Sequence, residues 1–130
     1  MRNILFLLLL LSGLSCSQST AVQAQSKLNP AEFELLLAKD KSIQLVDVRT
    51  PEEYAAGHIE GARLMDYYDP NFAAQLAKLD KTKPVAVYCA AGGRSGSAAE
   101  QLNKMGFKKV YDLVGGMRAW RSEEKKAVTN

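Results

Sequence analysis

Short apolar runs alternate with amphipathic segments along most of the chain. The runs cover residues 43–48, 62–65, 85–88 and 110–113, and the segments between them repeat apolar residues three or four positions apart. Runs of this length predict strands, and the wider spacing predicts helices. Because strand and helix alternate, we predict an α/β domain in which a parallel sheet carries helices on both faces.

Capping residues predict where the helices begin. Asn29-Pro30-Ala31-Glu32 combines a capping asparagine, a proline at the first helical position and the glutamate of a capping box. Thr50-Pro51-Glu52-Glu53 repeats that signature. Further helices are predicted over residues 70–78, 96–105 and 117–124.

The first residues have a different pattern from the rest of the chain. Arg2 precedes an unbroken apolar run over residues 4–11, which is too short to span a bilayer, so residues 1–15 are predicted to be an export signal peptide. Residues 16–27 are mostly small and polar, and we predict a flexible tether there. The predicted single domain then covers residues 28–125, with a tail over residues 126–130.

Two processing sites compete in this leader. Cys16 follows Gly13-Leu14-Ser15, which is similar to a bacterial lipoprotein box, whereas Ala24 ends the small-residue pattern of ordinary signal peptidase. We favour lipidation at Cys16 because the apolar run ends only a few residues before it, although such boxes usually carry a larger aliphatic residue in place of Gly13. The protein is therefore expected to be periplasmic or a membrane-anchored lipoprotein of a bacterium, with the lipid as its membrane contact.

Composition and charge restrict the classes of partner. The chain has 130 residues, of which 47% are hydrophobic and 24% charged, as expected for one soluble domain with a short appendage. Its net charge of +3 falls to +2 once Arg2 is removed, with 16 Lys and Arg against 14 Asp and Glu. A charge this small does not favour nucleic acid. A lone histidine and a lone mature cysteine cannot form a closed zinc site, so we expect no metal and no cofactor.

Cys89 is the candidate nucleophile. It directly follows the most apolar predicted strand, and ligands bind beyond the carboxyl ends of parallel strands. The loop Ala90-Ala91-Gly92-Gly93 has no bulky side chain to cover its N–H groups, and it leads into a helix N-terminus that lowers a thiol pKa. Arg94 adds a forked positive charge. The pattern predicts a thiolate that binds an anionic group, and Cys89 would be the only free thiol of the mature protein.

Four separated motifs resemble the single-domain rhodaneses. They are Asp47-Val48-Arg49 with Pro51-Glu52-Glu53-Tyr54, then Gly57-His58-Ile59-Glu60-Gly61-Ala62, then Tyr88-Cys89 through Arg94-Ser95-Gly96, then Gly115-Gly116-Met117 with Trp120. The resemblance covers roughly residues 28–124 in the family's order. It implies a five-stranded parallel sheet flanked by helices.

The resemblance also implies a sulfurtransferase. Cys89 would be catalytic and carry a sulfane sulfur as a persulfide, taken from thiosulfate or a persulfide donor and passed to a thiol or cyanide. The substrate-binding residues would be Ala90, Ala91, Gly92, Gly93, Arg94 and Ser95. The alternative is a rhodanese-like module that captures sulfur or oxidant and signals without turnover.

Loop length and loop charge refine this interpretation. Related phosphatases and arsenate reductases place one more residue between cysteine and arginine, whereas four residues separate Cys89 from Arg94 here. That length favours sulfur transfer. Many thiosulfate-using members carry a basic residue after the cysteine, and Ala90 and Ala91 stand there in this chain, so we expect thiosulfate to be a poor donor.

The remaining motif residues receive supporting roles. Asp47 is expected to orient Arg94 or a loop amide, or to cap its own turn, and Arg49 to form a structural ion pair. Met117 and Arg118 are expected to shape access to the site. His58, the only histidine, is expected to bond to backbone rather than act as a base. Two tyrosines, Tyr67 and Tyr68, are candidates for lining the mouth, and Trp120 is assigned to the core.

Overall fold

The computed structural model describes residues 25–129, and these fold as alternating strands and helices. The elements are β1 (Gln25–Leu28), α1 (Pro30–Lys39), β2 (Gln44–Asp47), α2 (Pro51–Ala55), β3 (Arg63–Leu64), α3 (Phe72–Ala77), β4 (Val85–Tyr88), α4 (Gly93–Lys104), β5 (Val110–Leu113) and α5 (Gly116–Ser122).

The five strands form one parallel sheet in the order β1-β5-β4-β2-β3. The central strand β4 is buried at all four positions, as is its neighbour β2. Strands buried on both faces are rich in apolar residues, as in the unbroken run of β4 and at Leu45 and Val46 in the middle of β2, which explains why the sequence revealed them. The predicted five-stranded sheet with helices on both faces is confirmed, and Cys89 lies directly beyond the carboxyl end of β4.

Each face of the sheet has its own hydrophobic core. On one face α3 and α4 cover alternate strand residues such as Val46 and Val87. On the other, α1 and α5 cover the intervening residues, including Leu45 and Tyr88, with Tyr54 of α2 against them. Successive side chains of a strand point to opposite faces, so the residues of β2 and β4 enter the two cores alternately. Trp120 is 3% exposed in the second core, as predicted.

The first strand was not predicted. Residues 25–27 were assigned to the flexible tether, but with Leu28 they form β1, which pairs with β5 from Gln25 opposite Val110 to Leu28 opposite Leu113. The prediction was wrong because an edge strand of only four residues takes much of its stability from the ladder of its neighbour, and Gln25-Ser26-Lys27 carries no apolar signal.

The two proline-led helix starts differ in detail. At α1 the Asn29 side chain accepts from the Glu32 N–H and the Glu32 carboxylate accepts from the Asn29 N–H, both at 2.9 Å, so the predicted capping box is confirmed. At α2 the Thr50 hydroxyl accepts from the Glu53 N–H at 3.3 Å. The Glu53 carboxylate does not complete a box there, because it bonds to another part of the molecule.

Two other helix starts shift relative to the sequence patterns. α3 begins at Phe72 rather than at residue 70, after a turn in which the Asp69 side chain accepts from the Asn71 N–H at 2.8 Å. α4 begins at Gly93 rather than at Gly96. The second shift matters for the site, because it places Arg94 and Ser95 inside the first helical turn.

Residues beyond the predicted domain end also belong to the fold. The backbones of His58 and Val128 exchange two hydrogen bonds, at 2.9 and 2.8 Å, and the Trp120 indole donates to the Lys126 carbonyl at 2.9 Å. Assigning residues 126–130 to a tail was therefore wrong for at least Lys126 and Val128. These interactions use backbone groups of Lys126 and Val128, which the side-chain pattern of the segment does not predict.

Between residues 25 and 129 no helix is long and apolar enough to cross a membrane. The predicted signal peptide over residues 1–15, both processing sites and the proposed lipidation at Cys16 lie outside the described residues.

Candidate active site

The Cys89 side chain lies in a ring of donors at the carboxyl edge of the sheet. The residue is 1% exposed, and its Sγ accepts a hydrogen bond from the Gly92 N–H at 3.0 Å. Buried thiols without donors resist ionisation, because a charge is expensive in a poorly solvated place. The contact with Gly92 therefore shows that this sulfur is placed to carry negative charge.

The loop is held open around the sulfur by the N-terminus of α5. The Cys89 carbonyl accepts from the Met117 N–H at 2.8 Å, and the Ala90 carbonyl accepts from the Arg118 N–H at 3.0 Å. A Cβ on Gly116 would stand 2.7 Å from the Ala90 carbonyl oxygen and closer still to that of Cys89. Only glycine permits this approach. With the two carbonyls engaged by α5, the loop amides that follow are free to face the sulfur.

Gly92 turns the loop into α4. It is the N-cap of that helix at φ 114°, a conformation that side chains with a Cβ rarely adopt, and its carbonyl accepts the first helical bond from the Gly96 N–H at 2.9 Å. The helix carries a partial positive charge at its N-terminus, which lies beside the thiol. The glycines of the loop therefore serve both curvature and electrostatics, as the sequence predicted.

Hydrogen bonds set the ionisation of Cys89. Burial acts most strongly and raises the pKa of the thiol, but the Ser95 hydroxyl and the N–H groups of Ser95, Gly92 and Ala91 lower it and together outweigh burial. The pKa of Cys89 therefore lies below its ordinary value, in the direction expected of a nucleophile. Ser95 acts through its N–H and its hydroxyl. The single hydroxyl proton also has the Gly92 carbonyl as an acceptor, at 3.3 Å.

A buried carboxyl group, not among the predicted site residues, interacts with Ser95. Asp112 of β5 is 3% exposed, and its Oδ1 has no hydrogen-bond partner in the described part of the chain. Burial raises the pKa of Asp112, and a bond with Ser95 opposes that shift. The signal was available in the sequence, since Asp112 interrupts an otherwise apolar strand that ends beside the site.

Arg94 has a counterion that the sequence did not reveal. Its Nη2 donates to both carboxylate oxygens of Glu53 in α2, at 3.0 and 3.3 Å, and its guanidinium lies 5.7 Å from the centre of the Tyr68 ring. The side chain is 17% exposed. Arg94 lies close enough to Cys89 for the two charges to interact, but the neighbouring carboxylate of Glu53 offsets part of the positive charge. Glu53 had been assigned only to a helix cap.

Asp47 and Arg49 form a buried pair of their own. Arg49 Nη2 donates to Asp47 Oδ2 at 2.6 Å, and Nε donates to Oδ1 at 2.9 Å. The same carboxylate accepts the Arg49 N–H at 3.0 Å. The predicted structural ion pair of Arg49 is confirmed. Of the roles offered for Asp47, orienting Arg94 or a loop amide is wrong, because the carboxylate is occupied by its neighbour two residues on.

The remaining candidate residues divide between mouth and core. Met117 is buried while Arg118 is exposed, and both border an open pocket beside Ala90. Tyr67 packs edge-on against Phe72, and Tyr68 is 66% exposed above Arg94.

His58 has a structural environment. It is 2% exposed, its ring stacks on Tyr54 at 3.7 Å, and its Nδ1 lies 3.0 Å from the Tyr54 carbonyl. It bonds to backbone, as predicted, although to the residue four positions earlier rather than within its own turn.

No group of three or more potential metal ligands occurs within residues 25–129. Cys89 is the free cysteine of that range. The described residues therefore offer the chemistry of a thiolate among amide donors, with Arg94 nearby.

Comparison with known proteins places this arrangement in a family. Residues 29–123 match the model of the rhodanese-like domain. The thiosulfate sulfurtransferase GlpE of Pseudomonas putida is 40% identical over 93 residues, which cover 72% of this chain and 83% of that protein.

Solved structures agree with the sequence match. A rhodanese-related protein from Thermoplasma volcanium superposes with a TM-score of 0.72 at 28% identity, covering 82% of this chain and 100% of the other. The polysulfide-sulfur transferase homodimer from Wolinella succinogenes gives a TM-score of 0.69 at 32% identity over 82% of this chain and 80% of its own. The chain thus belongs to the rhodanese-like domain family.

Proposed function

We propose that this protein is a sulfurtransferase that carries a sulfane sulfur on Cys89. The observation that carries the proposal is the buried Sγ of Cys89, which accepts from the Gly92 N–H at 3.0 Å in a loop whose Ala91 and Ser95 groups also lower the thiol pKa. A ring of this size stabilises a thiolate, and the same donors suit the terminal sulfur of a persulfide, which also bears negative charge. The family membership and the names of the relatives support the same activity.

Loading of the enzyme follows from this geometry. The Cys89 thiolate attacks the outer sulfur of thiosulfate, a new S–S bond forms, the old S–S bond breaks, and its electron pair leaves with sulfite. The product is a Cys89 persulfide anion, so no external oxidant or reductant is needed. The acceptor then attacks the outer sulfur and returns the electron pair to Cys89.

A persulfide or polysulfide donor suits the loop better than thiosulfate. Ala90 and Ala91 bring no charge, and the positive charge of Arg94 is shared with Glu53. A doubly negative donor therefore meets little compensation, and each missing charged hydrogen bond costs about 1.5–3 kcal/mol. The relative from Wolinella succinogenes is named for polysulfide and that from Pseudomonas putida for thiosulfate, so both donors belong in the assay.

Persulfidation and turnover test the proposal. Treatment with thiosulfate or polysulfide is expected to add the mass of one sulfur atom at Cys89, and cyanide is then expected to remove it with continued formation of thiocyanate. The Cys89→Ser variant should fold and give neither result. If the wild-type protein stays unmodified with every donor, the proposed sulfurtransferase activity is refuted. Modification that occurs once and stalls would instead support a signalling module.

Substitution of the loop tests the donor preference. Ala90→Lys places a cation directly after the nucleophile and is expected to lower the KM for thiosulfate about tenfold. It should change the KM for polysulfide less. An equal effect on both donors would contradict the argument from missing loop charge.

We also propose export and lipidation at Cys16, on the sequence pattern alone. The intact mass of the protein recovered from its native membrane tests this, since an acylated Cys16 adds the mass of its lipid and cleavage after Ala24 leaves Gln25 as the first residue.

A further inference from the structure

A second feature of the site is an open pocket beside the catalytic loop. Its volume is about 470 Å³, and it is bordered by Ala90 of the loop, by Met117, and by charged residues of α2, α5 and the loop between β2 and α2. This volume lies in the range of pockets that hold whole organic ligands, so the pocket is larger than transfer to cyanide requires. The charged lining residues are Arg49, Glu53, Arg118 and Arg121.

The positive charges in this pocket exceed the negative ones. Arg49 is neutralised by Asp47, and Glu53 is occupied by Arg94. Arg118 and Arg121 are both exposed, and neither forms an ion pair within residues 25–129. Within the described residues, Arg118 and Arg121 of α5 thus border the pocket without ion pairs of their own, since the one carboxylate of its lining, Glu53, is bound to Arg94.

The backbone concentrates this charge further. The Gly57 carbonyl accepts from Arg49 Nη2 at 2.8 Å and lies 3.4 Å from Arg121 Nη2. Arg49 and Arg121 therefore donate to the same carbonyl oxygen. Asp47 balances the charge of Arg49, whereas Arg121 has no ion pair within residues 25–129. Arginine in particular suits carboxylates, because its planar fork can donate two parallel hydrogen bonds.

The pocket is connected to the nucleophile through the chain itself. Arg118 donates its backbone N–H to the Ala90 carbonyl at 3.0 Å, next in sequence to Cys89. Ala90, the residue after Cys89, borders the pocket with a side chain of one carbon. A ligand whose sulfur reaches Cys89 could therefore place a group several atoms away against Arg118 and Arg121.

We propose that this arginine pocket, made by Ala90, Met117, Arg118 and Arg121, binds the carboxylate end of a small thiol that accepts sulfur from Cys89. The inference rests on the proposed function, because it assigns the acceptor class of the same site. The acceptor thiolate attacks the outer sulfur of the Cys89 persulfide. The S–S bond to Cys89 breaks, its electron pair restores the Cys89 thiolate, and the acceptor leaves as its own persulfide, with its charge conserved.

The experiment compares acceptors of different charge on protein that has first been persulfidated. The probes are mercaptosuccinate, which carries two carboxylates, 2-mercaptoethanol, which is uncharged, and cysteamine, which is cationic. Each rate is corrected for the thiolate fraction of the probe. The wild-type protein is expected to use mercaptosuccinate best and cysteamine worst, as judged by kcat/KM.

Two variants assign that preference to the pocket. Arg118→Gln and Arg121→Gln are each expected to reduce the ratio of kcat/KM for mercaptosuccinate over 2-mercaptoethanol about tenfold, the effect of losing one charged hydrogen bond. Lys109→Gln removes one exposed charge at the amino end of β5, at the end of the strands opposite to Cys89, and should leave the ratio unchanged.

The outcomes separate the two proposals. Wild-type protein that forms no persulfide with any donor overturns the sulfurtransferase and the acceptor assignment with it. Protein that forms the persulfide but transfers it to all three thiols equally overturns the arginine pocket alone, as does a ratio that neither arginine variant changes. Because both arginines are exposed, the variants are expected to fold, and circular dichroism of each checks this.

Discussion

Removal of the Ser95 hydroxyl is expected to make Cys89 a weaker acid. Ser95 is fully buried under the loop, and its hydroxyl and N–H are two of the groups that lower the pKa of Cys89 against the effect of burial. Ser95→Ala removes the hydroxyl and keeps the N–H. A hydrogen bond to a charged group contributes about 1.5 kcal/mol or more, which corresponds to an approximately tenfold lower acid dissociation constant.

The sign of the pH effect follows from this change. The thiolate is the reacting form, so the rate of the first step rises with pH until Cys89 is fully ionised and then levels off. In Ser95→Ala the rise moves to higher pH, and below that rise the rate is about tenfold lower than in the wild type. At high pH the two proteins should react at similar rates.

Alkylation of Cys89 by iodoacetamide measures the ionisation directly. Rates are followed across pH by mass spectrometry of the peptide that contains Cys89, so that other thiols do not interfere. The matched control is Ser97→Ala, which removes an exposed hydroxyl two residues further along α4. An unchanged profile in Ser95→Ala, or the same displacement in both variants, would refute the assignment of the hydroxyl to the sulfur.

Three further substitutions test the frame of the site by urea unfolding. Gly116→Ala should destabilise the protein by about 1–3 kcal/mol more than Gly61→Ala, because both residues have positive φ but only at Gly116 does a Cβ meet the loop backbone; equal losses would contradict this. Asp47→Asn leaves a buried guanidinium without its counterion and should cost about 3–5 kcal/mol, and a loss below 1 kcal/mol would show that the pair is dispensable. Asp112→Asn should stabilise the protein by about 1 kcal/mol at neutral pH, since burial raises the pKa of this carboxyl and its charge is costly in the folded state. That gain should shrink as pH falls towards the ordinary carboxyl pKa of about 4, where the unfolded chain also becomes protonated, and Glu100→Gln on the exposed face should show no such trend.

The sequence revealed those parts of the fold that depend on local pattern. β4 is buried on both faces and is an unbroken apolar run, β2 has an apolar centre, and Asn29 caps α1 through Glu32, three residues away. β1 escaped prediction because its partner is β5, more than eighty positions along the chain. Local signals cannot report pairing at that distance.

The same distinction between local pattern and long-range contact applies to the site. The nucleophile, its glycine-rich loop and Arg94 are contiguous, and their chemistry follows from residue type. Glu53 and Asp112 come from other elements and meet Arg94 and Ser95 only in the folded protein, so the sequence alone does not reveal their roles. Arg49 was correctly predicted to form a structural ion pair, but its partner was not named and Asp47 was given other roles. The sequence does not show that both oxygens of the Asp47 carboxylate are already occupied by Arg49.

The position of β1 shows at which end of the sheet the described chain begins. The described chain enters the fold at Gln25, opposite Val110 at the amino end of β5, whereas Cys89 follows the carboxyl end of β4 in the same parallel sheet. Entrance and nucleophile therefore lie on opposite rims, about 13 Å of strand apart. An attachment made through the residues before Gln25, such as the lipid proposed at Cys16, would therefore join the domain at the end of the sheet opposite Cys89.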